Sequence, residues 1–66
     1  MNLHEYVLIL TVFLPPHVAH HKHVPTPPVH INELHRTYQA CMARGREMDK
    51  IMKARHHWAC SPVEED

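Results

Sequence analysis

Apolar residues gather in two blocks along this chain, and a stretch of proline and histidine separates them. The first block, EYVLILTVFL from Glu5 to Leu14, is apolar at almost every position and rich in β-branched and aromatic side chains. Such residues suit a pleated surface, so a short strand covered on both faces is expected. One or two helical turns compete with it, because so short a run has no decisive period. Pro15-Pro16 ends either form.

The second block has the spacing of a helix. Steps of three and four connect Ile31, Leu34, Tyr38, Cys41, Gly45, Met48 and Met52, placing them on one stripe. Met42 and Ile51 widen it, and Gln39, Ala43, Arg46, Lys50, Lys53 and His57 form a polar, mostly basic stripe opposite. Asn32 is the expected N-cap and Ser61-Pro62 the stop. The pattern predicts one long amphipathic helix over residues 31–58 and a mainly α fold, with a short N-terminal apolar strand or helix before it. The chain then divides into an apolar segment 1–14, a Pro/His-rich connector 15–30, the helix 31–60 and an acidic tail 61–66. Two positions disturb the stripe. Gly45 costs about 1 kcal/mol relative to alanine in a helix interior, and Arg55 stands where the next apolar residue belongs.

Between the blocks, Pro15, Pro16, Pro25, Pro27 and Pro28 withhold backbone donors and push their preceding residues towards extended conformations. A stiff, polyproline-like connector is expected there. It carries His17, His20, His21, His23 and His30.

Length narrows the possibilities further. A chain of 66 residues forms at most one small domain, and at that size a core is marginal without a disulfide, a metal or a partner. The formal charge is zero with histidine neutral. Residues 31–60 hold six cations against three acids, and Glu64, Glu65 and Asp66 cancel the difference. That balance argues against a nucleic-acid partner, even with Arg46, Lys50 and Lys53 in line and Trp58 available to stack. The apolar run is too short to span a bilayer as a helix, which takes about 20 residues. His4 and Glu5 stand where a signal peptide carries cations, and His17 where its cleavage site wants a small side chain. Membrane association stays as an alternative resting on Leu8, Leu10 and Phe13.

The residues that could carry chemistry are histidines and cysteines. Neutral imidazole binds zinc and other transition metals, so His17, His21 and His23, joined by His56 and Cys60, form a candidate metal set. An extended connector splays these side chains, and C-x-x-C and H-E-x-x-H patterns are absent. Along one continuous helix, Cys41 and Cys60 would stand about 28 Å apart at ~1.5 Å per residue, far beyond disulfide reach. Two unpaired thiols fit a reducing compartment such as the cytoplasm, or a component of a virion or other assembly.

With no nucleophile motif and no paired acids, an enzyme is not expected. The sequence points to a non-enzymatic accessory protein, with no cofactor, that docks through its amphipathic helix onto a larger protein or multi-subunit assembly. Self-association through the 31–52 stripe is the other route. The binding residues would be Leu34, Tyr38, Met42, Met48, Met52 and Trp58, with Tyr6 to Phe13 adding a strand to a partner's sheet edge. A histidine-based metal-binding protein is the alternative function.

Overall fold

The computed structural model describes residues 4–64. The first three residues of the apolar segment and the last two of the acidic tail lie outside that range. The chain runs β1 (Tyr6–Phe13), β2 (His17–Ala19), β3 (Lys22–Val24), β4 (Val29–His35), α1 (Tyr38–Ile51) and β5 (Arg55–Pro62). Among the described residues strand outweighs helix, 48% against 23%, so the fold is mainly β and not the mainly α chain that the stripe predicts.

β1 is the centre of a three-stranded sheet ordered β4-β1-β5, and it pairs antiparallel with both neighbours. β4 and β5 therefore run in the same direction on either side of it. Parallel strands need a long crossover connection, and α1 supplies it. With both its edges paired, Tyr6–Phe13 has none to offer a partner, which overturns its expected role as a donated strand.

The long helix fails at both ends. Thr37, not Asn32, is the N-cap: its Oγ1 accepts the Ala40 N–H at 3.1 Å. Upstream, Ile31 and Leu34 lie in β4, where a three-residue spacing sends side chains to opposite faces. Downstream the helix closes at Ile51, with the Met52 N–H donating to the Met48 carbonyl at 2.9 Å. The chain then turns back as β5. There His56, Trp58 and Cys60 face α1 and alternate with His57, Ala59 and Ser61 on the other side.

This return brings the two cysteines together. Cys41 on α1 and Cys60 on β5 form a disulfide with their Cα atoms 6.1 Å apart. The 28 Å separation and the free thiols expected from a continuous helix are both overturned, and the reducing compartment loses its premise. Among the described residues the buried apolar core is only Leu8, Leu10, Val12 and Cys41. The disulfide staples that small core, as a chain of this size requires.

The Pro/His segment is a β-ribbon rather than a polyproline connector. In every pair from Tyr6–His35 to Ala19–Lys22 the two residue numbers add up to 41. One register thus continues from the sheet into the β2–β3 hairpin, although the ladder itself breaks at the prolines. In the gap, the Thr26 hydroxyl donates to the Pro15 carbonyl at 3.0 Å and shares a 3.3 Å hydrogen bond with His17 Nδ1. His20 and His21 make the turn at φ of 52° and 65°. Positive φ at both central residues marks a type I′ turn, whose twist matches a β-ribbon. Histidine adopts this region more readily than most residues, though asparagine-glycine is the favoured pair. The ribbon stretches the molecule to 58 × 29 × 11 Å, with a radius of gyration of 15.5 Å, against about 11 Å for a compact chain of this length.

Candidate interaction site: the uncovered outer strand

α1 covers one face of the sheet, but unevenly. Leu10 lies between Ile31 on β4 and Trp58 on β5, in one row on the helix side. Leu10 is 3% exposed while Ile31 is 44% exposed. The helix is held over β1 and β5, so the outer strand on the other side is left bare.

Three contacts hold it there. The disulfide is the first. The second is Trp58, whose indole lies against Gly45: a Cβ built on that glycine would run into the ring. Gly45, a defect by helix propensity, is the groove that seats the tryptophan. Third, Asp49 accepts the Trp58 Nε1–H at 3.0 and 3.1 Å and a 2.7 Å bond from His56 Nε2. His56 Nδ1 lies 2.8 Å from the Ala54 carbonyl oxygen. Both ring nitrogens of His56 thus face groups that only accept, an arrangement that favours the doubly protonated ring. The Ala54 carbonyl first, and the Asp49 carboxylate second, raise the His56 pKa above its ordinary value. The Trp58 and His56 donors hold Asp49 below the ordinary aspartate value.

β4 has much thinner support. On its helix side, Glu33 Oε1 accepts Arg44 Nε at 3.0 Å and His35 Nε2 at 2.8 Å, and Arg44 Nη1 reaches Glu47 at 2.9 Å. Burial pushes the Glu33 pKa up, but the His35 and Arg44 donors outweigh it and hold the group below its usual value. Partly exposed ion pairs of this kind contribute about 0–1 kcal/mol each. Beside them Val29 and Ile31 stay 42% and 44% exposed, and on the opposite face Leu34 is 61% exposed. That opposite face has no helix. Ile9 and Phe13, each 39% exposed, lie on it, and Arg55 sits 5.2 Å over the Phe13 ring.

Bare outer strands invite pairing with other chains, and proline, charge and covering elements normally blunt them. The ribbon follows that rule along Pro25, Pro27 and Pro28, which lack N–H groups. The seven residues Val29–His35 contain no proline, and their apolar side chains are open on both faces.

The residues expected to bind a partner are scattered. Leu34 belongs to this strand. Tyr38, 48% exposed, packs edge-on against Tyr6 with ring centroids 5.3 Å apart. Met42, Met48, Met52 and Trp58 are half-buried, and Trp58 is committed to Gly45 and Asp49. The candidate metal ligands do not converge: among the described residues no three of His, Cys, Asp and Glu are placed to hold an ion. Cys60 is in the disulfide, His56 is bound to Asp49, His17 to Thr26, and His21 shapes the turn. No helix among the described residues is long and apolar enough to cross a membrane. Val29 was not singled out in the sequence, and Ile31 was read as a position on the helical stripe rather than on a strand. Their signal is the alternation Val29-His30-Ile31-Asn32, a period of two beneath the apparent helical step.

Comparison with known proteins gives no match: no family model, no curated protein and no solved structure is similar to this chain.

Proposed function

We propose that this chain is a small non-enzymatic protein-binding module that docks by accepting an extended strand along β4. One observation carries the reading: β4 is the outer strand of the sheet whose Val29, Ile31 and Leu34 are 42%, 44% and 61% exposed. In strand addition, main-chain hydrogen bonds supply affinity and alternate side chains supply specificity. Val29 and Ile31 would grip an incoming strand on one face and Leu34 on the other. This moves the docking surface from the helical stripe, whose Met42, Met48 and Met52 are half-buried, to the strand before it.

A displayed library of nine-residue peptides, panned against the oxidised protein, tests the reading. Binders with alternating apolar positions are expected to lose binding with Ile31→Lys and to slow amide exchange in β4. Binders indifferent to Ile31→Lys, or that leave β4 exchange unchanged, would defeat it.

A further inference from the structure

We infer that the Cys41–Cys60 disulfide is a redox latch: oxidation closes α1 on the sheet, and reduction lets it lift. The inference concerns the closed state itself and holds whether or not β4 receives a strand.

Three contacts between α1 and β5 form a zipper. Cys41, Gly45 and Asp49 follow one another at four-residue steps along the helix. They meet Cys60, Trp58 and His56, alternate residues on one face of β5. The two spacings agree, because four helical residues rise about 6 Å and two strand residues roughly 7 Å. The rungs differ in the loop that each must close. Asp49 meets His56 seven residues on and Trp58 nine residues on, whereas the cysteines are nineteen apart. Shorter loops cost less entropy to close. The Asp49 and Trp58 rungs thus form first and carry Cys41 towards Cys60.

The zipper needs its covalent rung because the core beneath it is small. Among the described residues that core is Leu8, Leu10, Val12 and Cys41, so one half of the disulfide is itself a core side chain. A chain of 66 residues with so little buried stands at the low end of domain stabilities, a folded-to-unfolded ratio of about two hundred to one. Closing the loop between the cysteines supplies about a hundredfold of that ratio. Reduction therefore leaves closed and open chains in comparable numbers.

Oxidation reverses the change. The Cys41 Sγ–Cys60 Sγ bond forms, the bond of an external disulfide such as oxidised glutathione breaks, and its halves leave as two thiols carrying the two cysteine protons. Cys41 is 0% exposed in the closed form, so exchange at its sulfur waits for α1 to lift. The closed form belongs to oxidising surroundings, where disulfides persist, and the open form to compartments that keep thiols reduced.

Equilibration in glutathione buffers of graded composition tests the inference. Mass spectrometry after thiol alkylation reads the oxidised fraction, and the dispersion of amide NMR peaks reads the fold. Dispersed peaks are expected to weaken in step with loss of the disulfide. Linkage is reciprocal, so what the other rungs give to the closed form they also give to its disulfide. Trp58→Ala should therefore raise the proportion of oxidised glutathione needed for half oxidation roughly tenfold, and Asp49→Asn, which keeps the indole, should raise it by less. Ala59→Lys, exposed on the other face of β5, should leave it unmoved. A reduced chain that keeps its dispersed peaks at full strength overturns the inference. So does a half-oxidation point that neither Trp58→Ala nor Asp49→Asn moves, because the disulfide then only staples a body that closes without it.

Discussion

β4 and β5 flank the same central strand, and the chain treats them in opposite ways. β5 is tied to α1 by a disulfide, by an indole seated on a glycine and by a carboxylate shared between Trp58 and His56. β4 has one partly exposed ion-pair cluster and three bare apolar side chains. The difference separates the outer strand that α1 holds down from the outer strand whose apolar side chains stay exposed. Substitutions on β5 should therefore cost stability, and substitutions on β4 should change association.

The largest effect belongs to the disulfide. Closing a loop of about twenty residues contributes roughly 3 kcal/mol by restricting the unfolded chain, so reduction, or Cys41→Ser with Cys60→Ser, should lower the urea midpoint by that equivalent. Leu34→Lys on the other edge should move monomer stability by no more than about 0.5 kcal/mol. Equal losses at both edges would erase the contrast. Gly45→Ala gives a sharper test, because propensity and packing predict opposite signs. Alanine gains about 1 kcal/mol in a helix interior, yet its Cβ would strike the Trp58 ring. Overpacking of this kind typically costs about 1–3 kcal/mol, so a net loss in thermal midpoint is expected. A gain would mean that Trp58 moves aside freely and that β5 is not sealed.

The smallest effect is pH-dependent. The raised His56 pKa contributes stability that is complete below the ordinary histidine value of ~6.5 and is lost as pH rises through the higher folded value. The lowered Asp49 pKa contributes stability present above ~3.9 and lost as pH falls through the lower folded value. The pair therefore supports β5 most in mildly acidic solution. The wild-type urea midpoint should exceed that of Asp49→Asn most clearly near pH 6, and the gap should narrow by pH 8.5. A constant gap would remove His56 from the account.

What the sequence disclosed depended on whether residue chemistry tracked residue position. β1 was legible as a strand because its β-branched and aromatic residues suit one whatever surrounds them, but the expected cover on both faces was wrong, since Ile9 and Phe13 stay 39% exposed on the face without a helix. α1 was legible in its middle, where Tyr38 to Met48 do follow one stripe. Its ends were not, because Ile31 and Leu34 imitate a helical step while facing opposite sides of a strand. β5 hid for a related reason: His56 points to α1 and His57 away from it, so a single residue type occupies both faces. The disulfide was hidden by that same error, since only a helix ending at Ile51 allows Cys60 to return to Cys41. The ribbon lacked the asparagine-glycine signal that announces a tight hairpin. Its prolines recommended a connector, although they interrupt hydrogen bonds without disturbing register. The uncovered strand had no signature beyond Val29-His30-Ile31-Asn32, because exposure is decided by where the helix comes to rest.

The unbroken numbering of the ribbon makes it a telescoping part. Two residues added to each limb, placed symmetrically about His20-His21, would push the tip outward by roughly 7 Å at ~3.4 Å per residue and leave every side chain on its present face. A single added residue in one limb would exchange the faces of all that follow it up to the turn. Reach and orientation can thus be altered separately. The fifteen residues from Leu14 to Pro28 form a cassette that can lengthen, shorten or be exchanged while the disulfide-closed body stays as it is.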